Sequence, residues 1–189
     1  MPSQIYFKEV YSSFFLKIEG YDIFDKNISD EYREALLCSW LHSSIGKPYV
    51  NRLFSAVTLS DPYQDEDPET GEIIDMDGII EYELKNKINE DFGDKQFIIE
   101  VLAYGMALCW LEPKVYSLTN IAQFFGTSDE KFYAQQTHLS ELRNLRDDLI
   151  SHQRSLIRDR GYSNNSYING KSASSRLRGD WYEIFIWSL

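Results

Sequence analysis

Residues 94–113 read DKQFIIEVLAYGMALCWLEP, and this stretch decides the fold. Phe97, Ile98, Val101, Leu102, Ala103, Met106, Leu108 and Cys109 place apolar side chains nearly all round a helix. That pattern predicts a central, buried helix rather than a surface one. Asp94 is expected to cap it. Gly105 inside it predicts close approach of a neighbouring element. Pro113 is expected to end it, because the residue before a proline avoids helical dihedrals. Two more helices are expected downstream. A short one over 118–125 is capped by Ser117 and stopped by Gly126. A long one is capped by Ser128, carries Asp129 and Glu130 in its first turn, and ends at Gly161. Its apolar stripe is Phe132, Leu139, Leu142, Leu145, Leu149 and Leu156, with Glu141, Arg143, Asp147, Asp148, Arg154 and Arg158 opposite.

Upstream, Tyr6, Val10, Phe14, Leu16 and Ile18 predict a short helix ending near Gly20. Residues 21–25 read as a loop pinned by its aromatics. Ser29 is a candidate N-cap, followed by Asp30 and Glu31 where the helix dipole favours acids. Tyr32, Leu36, Leu37, Trp40, Leu41 and Ile45 form the next stripe, which Gly46 and Pro48 interrupt. A turn of helix is expected within 49–54, and Phe54 to Leu59 is β-prone.

Between Asp61 and Asp94 lie thirteen of the thirty acidic residues, with only Lys85 and Lys87 as bases. The local charge therefore equals the net charge of the whole chain, −11. Ile73-Ile74 and Ile79 to Leu84 are strand candidates, and Glu69-Thr70-Gly71-Glu72 reads as a turn. A long hairpin is expected, with Ala56 to Leu59 pairing against the region of Ile80 to Leu84. Its exposed acidic tip carries Asp65, Glu66, Asp67, Glu69, Glu72, Asp75 and Asp77. The expected class is mainly α: a helical bundle over 1–160, with an acidic β-hairpin insertion at about 55–94 and an extended C-terminal arm.

The arm begins at 161. Residues 162–179 are rich in Ser, Asn and Gly and read as a flexible linker. Trp181, Tyr182, Ile184, Phe185, Ile186 and Trp187 then follow with strong strand propensity and no local partner. Strand addition to another surface is the expected use, against a return to the chain's own hairpin. Aromatics make up 15% of the chain, which suits a protein that buries surface against partners or fills an aromatic core.

Catalytic signatures are missing: no P-loop, no dinucleotide-binding glycine pattern, no nucleophile elbow and no His-Glu-x-x-His. Asp65-Glu66-Asp67-Pro68 and Asp75-Met76-Asp77-Gly78 fail the EF-hand spacing and read as solvated acidic loop. His42, His138 and His152 are expected in structural or surface roles. His138 and His152 lie about 21 Å apart along one helix, too far to share an ion. Cys38 and Cys109 read as two buried free thiols in a reducing compartment. No cofactor, metal or catalytic residue is therefore expected. No apolar run approaches a membrane span, and the first residues lack the marks of a signal peptide. An acidic chain does not grip DNA phosphates, although it can surround DNA.

Three segments carry a resemblance: Val10-Tyr11-Ser12-Ser13-Phe14 through Ile18; Trp110-Leu111-Glu112-Pro113; and Lys131-Phe132-Tyr133-Ala134-Gln135-Gln136-Thr137-His138-Leu139-Ser140-Glu141-Leu142. In this order they resemble the head–tail connector, or neck adaptor, proteins of long-tailed bacteriophages, over roughly 5–60 and 95–160. The resemblance implies a mostly helical virion protein without catalytic residues. It implies a homo-oligomeric ring of twelve copies, bound to the portal protein above and a head-closure or tail-completion protein below. Genomic DNA passes through the ring unbound, and assembly takes place in the host cytoplasm. The acidic segment and the tail beyond Tyr162 are longer than the family pattern, so the neck layer stays open. The alternatives are another neck protein (head-closure or tail-terminator), an acidic regulator that binds a DNA-handling enzyme, and a metal-dependent hydrolase using the acidic loop.

Overall fold

The computed structural model describes residues 2–19, 21, 23–24, 28–66, 73–88, 93–124 and 130–163, with backbone alone at 66, 118–124, 130–135 and 163. Its elements are β1 (Ser3–Tyr6), α1 (Phe7–Lys17), α2 (Asp30–Gly46), α3 (Pro48–Asn51), β2 (Phe54–Ser60), β3 (Tyr63–Glu66), β4 (Ile73–Met76), β5 (Ile79–Leu84), α4 (Gly93–Phe124) and α5 (Glu130–Ser163). The chain is mainly α with a small antiparallel sheet. It divides into two units, Met1–Gln153 and Arg154–Leu189.

The first unit is built on α4. Ile98, Val101, Leu102, Ala103, Met106, Ala107, Leu108, Trp110 and Leu111 are all buried, so the helix is covered on nearly every side. α1 supplies Phe7, Val10 and Phe14 to this core, and α2 supplies Leu37, Leu41 and Ile45. α1 and α4 run in the same direction, tied at both ends by charge. Lys95 Nζ lies 2.8 Å from Glu9, and Glu100 accepts from both Lys17 and Ser13. At the start of α1, the Glu9 carboxylate accepts the Tyr6 N–H at 3.1 Å, satisfying a donor the helix itself leaves open. Ser29 caps α2 by accepting the Tyr32 N–H. Tyr21 meets Trp110 edge to face, and Phe24 stacks on Trp40.

A buried polar node fixes the register of the helices. Ser44 Oγ donates to the Leu102 carbonyl at 3.2 Å. Gln153 Nε2 donates to the Val101 carbonyl at 2.8 Å, and the Tyr49 hydroxyl donates to Gln153 Oε1 at 3.0 Å. Gly105 lies at its centre: a Cβ there would stand 2.8 Å from Ser44 Cβ and 3.2 Å from Gln153 Nε2. The glycine is what lets the helices come this close.

The sheet has the order β1–β5–β2, all antiparallel. Ser3 faces Tyr82 and Ile5 faces Ile80 on one side; Val57 faces Tyr82 and Leu59 faces Ile80 on the other. Ile80, Tyr82 and Leu84 point inward at the two-residue period of a strand, while Glu81 and Glu83 alternate with them. The Gly78 carbonyl accepts the Phe7 N–H at 2.8 Å. A Cβ on Gly78 would strike the Phe7 ring at 2.5–2.8 Å, so only glycine fits beneath that ring.

Several expectations are corrected. Pro113 does not end a helix; α4 runs through it to Phe124 and absorbs the expected short helix and its Ser117 cap. The proline removes one ladder bond. Burial of Trp110, Leu111 and Val115 holds the turns on either side in helical form. Gly161 does not cap α5, which continues through Tyr162 to Ser163; the rest of the expected linker, 164–179, lies outside the described residues. Asp94 lies inside the first turn of α4, buried, and its carboxylate accepts the Ile88 N–H, closing the β5–α4 connection. Tyr32 is exposed rather than part of the buried stripe. Cys38 and Cys109 are free, but both are half-buried. The Ser128 cap lies outside the described residues.

Candidate functional site

Two features of the first unit stand apart from its core. One is the β3–β4 ribbon, an excursion between β2 and β5. Tyr63 pairs with Met76, Gln64 with Asp75 and Asp65 with Ile74. Strand alternation puts Tyr63, Asp65, Ile74 and Met76 on one face and Gln64 and Asp75 on the other. Gln64 Nε2 donates to Asp75 at 3.1 Å across the second face. The first face stays open to solvent, with Tyr63 55%, Ile74 45% and Met76 40% exposed; Ile73, 71% exposed, lies on the second face with Asp75. All described side chains of the ribbon are exposed. An isolated two-stranded ribbon is marginal in water, so the solvent-facing apolar side chains on it form a candidate contact surface.

The acids expected at the hairpin tip divide accordingly. Asp65 and Asp75 sit on the ribbon, exposed. Asp77 has turned back to the body, 3.7 Å from Lys8 Nζ. Glu66 has its backbone in β3, while Asp67, Glu69 and Glu72 lie outside the described residues. Trp181, Tyr182, Ile184, Phe185, Ile186 and Trp187 also lie outside them.

The second feature was not expected. Cys38 and His42 are four residues apart, one turn along α2, so they share a face. Asp61, just beyond β2, comes up against them. Its Oδ1 lies 2.6 Å from His42 Nε2 and accepts a hydrogen bond from Cys38 Sγ at 3.4 Å. The three donor atoms all lie within 4.8 Å of one another. The hydrogen bond from His42 holds the Asp61 carboxyl below its usual range, against a smaller opposing effect of burial. Burial, then the hydrogen bond to Asp61 and that residue's charge, push the Cys38 thiol up to about 11. A thiol so held is a poor nucleophile, since the thiolate is the reactive form. His42 and Cys38 also meet the same carboxylate oxygen instead of each other, so the relay of a nucleophilic triad is missing.

Tyr11 stands near this group. Burial raises its phenol well above the usual range, with smaller contributions from Cys38, Asp77, Asp61 and Glu34. Its buried hydroxyl has no hydrogen-bond partner among the described residues. The remaining histidines fit surface roles: His138 lies 3.8 Å from Glu141, and His152 stacks on Tyr104. No described helix is long and apolar enough to cross a membrane. No family model, no curated protein and no solved structure matches the chain.

Proposed function

We propose that the chain is a structural adaptor of a bacteriophage neck, forming a ring that joins the portal to the head-closure or tail-completion proteins. The observation that carries this reading is the ribbon with its uncovered Tyr63–Ile74–Met76 face. The exposed ribbon face supplies one of the two unlike patches that a head-to-tail ring contact requires. In this reading the ribbon face of one copy packs on the body of the next, within a ring of twelve copies. The acids beside it face the channel or the neighbouring ring, where they keep DNA from adhering. The bundle, its acidic hairpin and the C-terminal arm are the parts of one adaptor, and 181–187 dock on the portal. The position is the virion neck, reached after assembly in the host cytoplasm.

The concentration of acid between Asp61 and Asp94 also favours a second reading, an acidic regulator that binds a DNA-handling enzyme. Mass measurement of the protein with and without isolated portal rings separates the two. Ring-sized complexes on the portal support the adaptor, whether or not the free protein is monomeric. The protein remaining apart from the portal while binding a nuclease or polymerase overturns it.

A further inference from the structure

The geometry points to a binding site for a divalent transition metal of the zinc class, formed by Cys38 Sγ, His42 Nε2 and Asp61 Oδ1 at the root of the ribbon. Among the described residues no other cluster of three such groups is present. The donor types set the class of ion. Thiolate and imidazole select zinc or cobalt(II) over magnesium or calcium, which need oxygen cages. The distances fit as well. A tetrahedral ion with bonds of about 2.0–2.3 Å holds its ligands roughly 3.3–3.5 Å apart. Cys38 Sγ and Asp61 Oδ1 already stand 3.4 Å apart. His42 Nε2 and Asp61 Oδ1, at 2.6 Å, separate by about 0.7 Å when an ion replaces the shared proton.

Binding balances simply. The Cys38 thiol gives its proton to solvent, the His42 proton leaves Nε2 and the neutral imidazole carries its remaining proton on Nδ1, and the carboxylate coordinates as the anion. Proton competition at the thiol makes binding weaker as pH falls. His42 and Asp61 are about half exposed, so an ion enters directly from solvent. Three protein ligands leave a fourth position for water, as in open zinc sites.

The placement gives the ion a structural effect. Cys38 and His42 belong to α2, whereas Asp61 opens the turn from β2 into β3. An ion held by all three ties the ribbon's root to the helical body and limits its direction. This inference is independent of the neck reading.

The test is a titration of the metal-stripped full chain with cobalt(II), followed by absorption. One equivalent should give the thiolate-to-cobalt charge-transfer band and visible bands of tetrahedral intensity, and zinc should abolish both. Cys38→Ser should lose the charge-transfer band, while Cys109→Ser keeps it. Asp61→Asn and His42→Ala should each weaken cobalt binding by about tenfold or more. Circular dichroism identifies any variant that has failed to fold, and Asp61→Asn, the mildest change, decides if Cys38→Ser has. No thiolate band with folded wild-type protein overturns the proposal. A band that survives Cys38→Ser, unchanged affinity in Asp61→Asn, or displacement by magnesium as readily as by zinc also overturns it.

Discussion

Replacing Gly105 by alanine puts one methyl group into the close contact between α4 and α2. On an open helix the change stabilises by about 1 kcal/mol. Here the new Cβ meets Ser44 Oγ and lies 2.8 Å from Ser44 Cβ. The hydroxyl can rotate away, but the Cβ is fixed to the α2 backbone, so α2 and α4 must move apart. Overpacking of this kind costs about 1–3 kcal/mol. The movement stretches the Ser44–Leu102 hydrogen bond, and the 3.2 Å approach of the new Cβ to Gln153 Nε2 strains the Gln153–Val101 one, each worth about 1 kcal/mol and more if a buried partner is left unpaired. The sum, less the helix gain, is a loss of about 1–4 kcal/mol. For a chain of this size each kcal/mol lowers Tm by about 2–4 °C. Urea unfolding followed by circular dichroism reads it as a lower midpoint at unchanged slope. Ser44→Gly removes the obstructing atoms, so the double variant should recover at least about 1 kcal/mol relative to additivity. A Gly105→Ala protein as stable as wild type, or more so, refutes the reasoning.

Other changes probe separate parts. Pro113→Ala restores a missing ladder bond within α4, so urea unfolding should show a gain of about 1–2 kcal/mol; a loss would mean that the helix needs its proline. Alkylation of Cys38 in Cys109→Ser should accelerate around pH 11 in the folded protein and near pH 9 in urea, because the folded state raises the thiol. The sign follows: the thiol's contribution to stability is fully present below pH 9 and is lost as pH rises through 11. Ile74→Asp with Met76→Asp should leave the unfolding midpoint within about 0.5 kcal/mol, since both side chains are exposed. The same pair should abolish assembly on portal rings in sedimentation; intact assembly would remove the ribbon from the interface.

The fold was legible where local chemistry and tertiary context agree. Ser29 followed by two acids announces α2, and the all-round apolar pattern of 97–111 announces a buried helix. Gly105 announced a close approach that Ser44 and Gln153 supply. Pro113 misled because its local cost is smaller than the burial on both sides of it. β1 was hidden because four residues carry no periodicity; its strand character comes from β5, more than seventy residues away. The cluster was half visible. Cys38 and His42 at four-residue spacing are a helix-face pair on sight, but Asp61 joins them only through the path of β2.

The order of the sheet bears on how the protein is made. β5 is the middle strand, and both of its neighbours precede it in the chain. Neither β1 nor β2 has a partner until 79–84 have left the ribosome, so the N-terminal strand waits through most of a hundred residues of synthesis. Closing a loop of that length carries an entropy cost that is repaid only when β5 and α4 arrive together. A slow codon run or an inserted tag just before Ile79 would therefore prolong the time for which both strands stand unpaired and open to aggregation during expression.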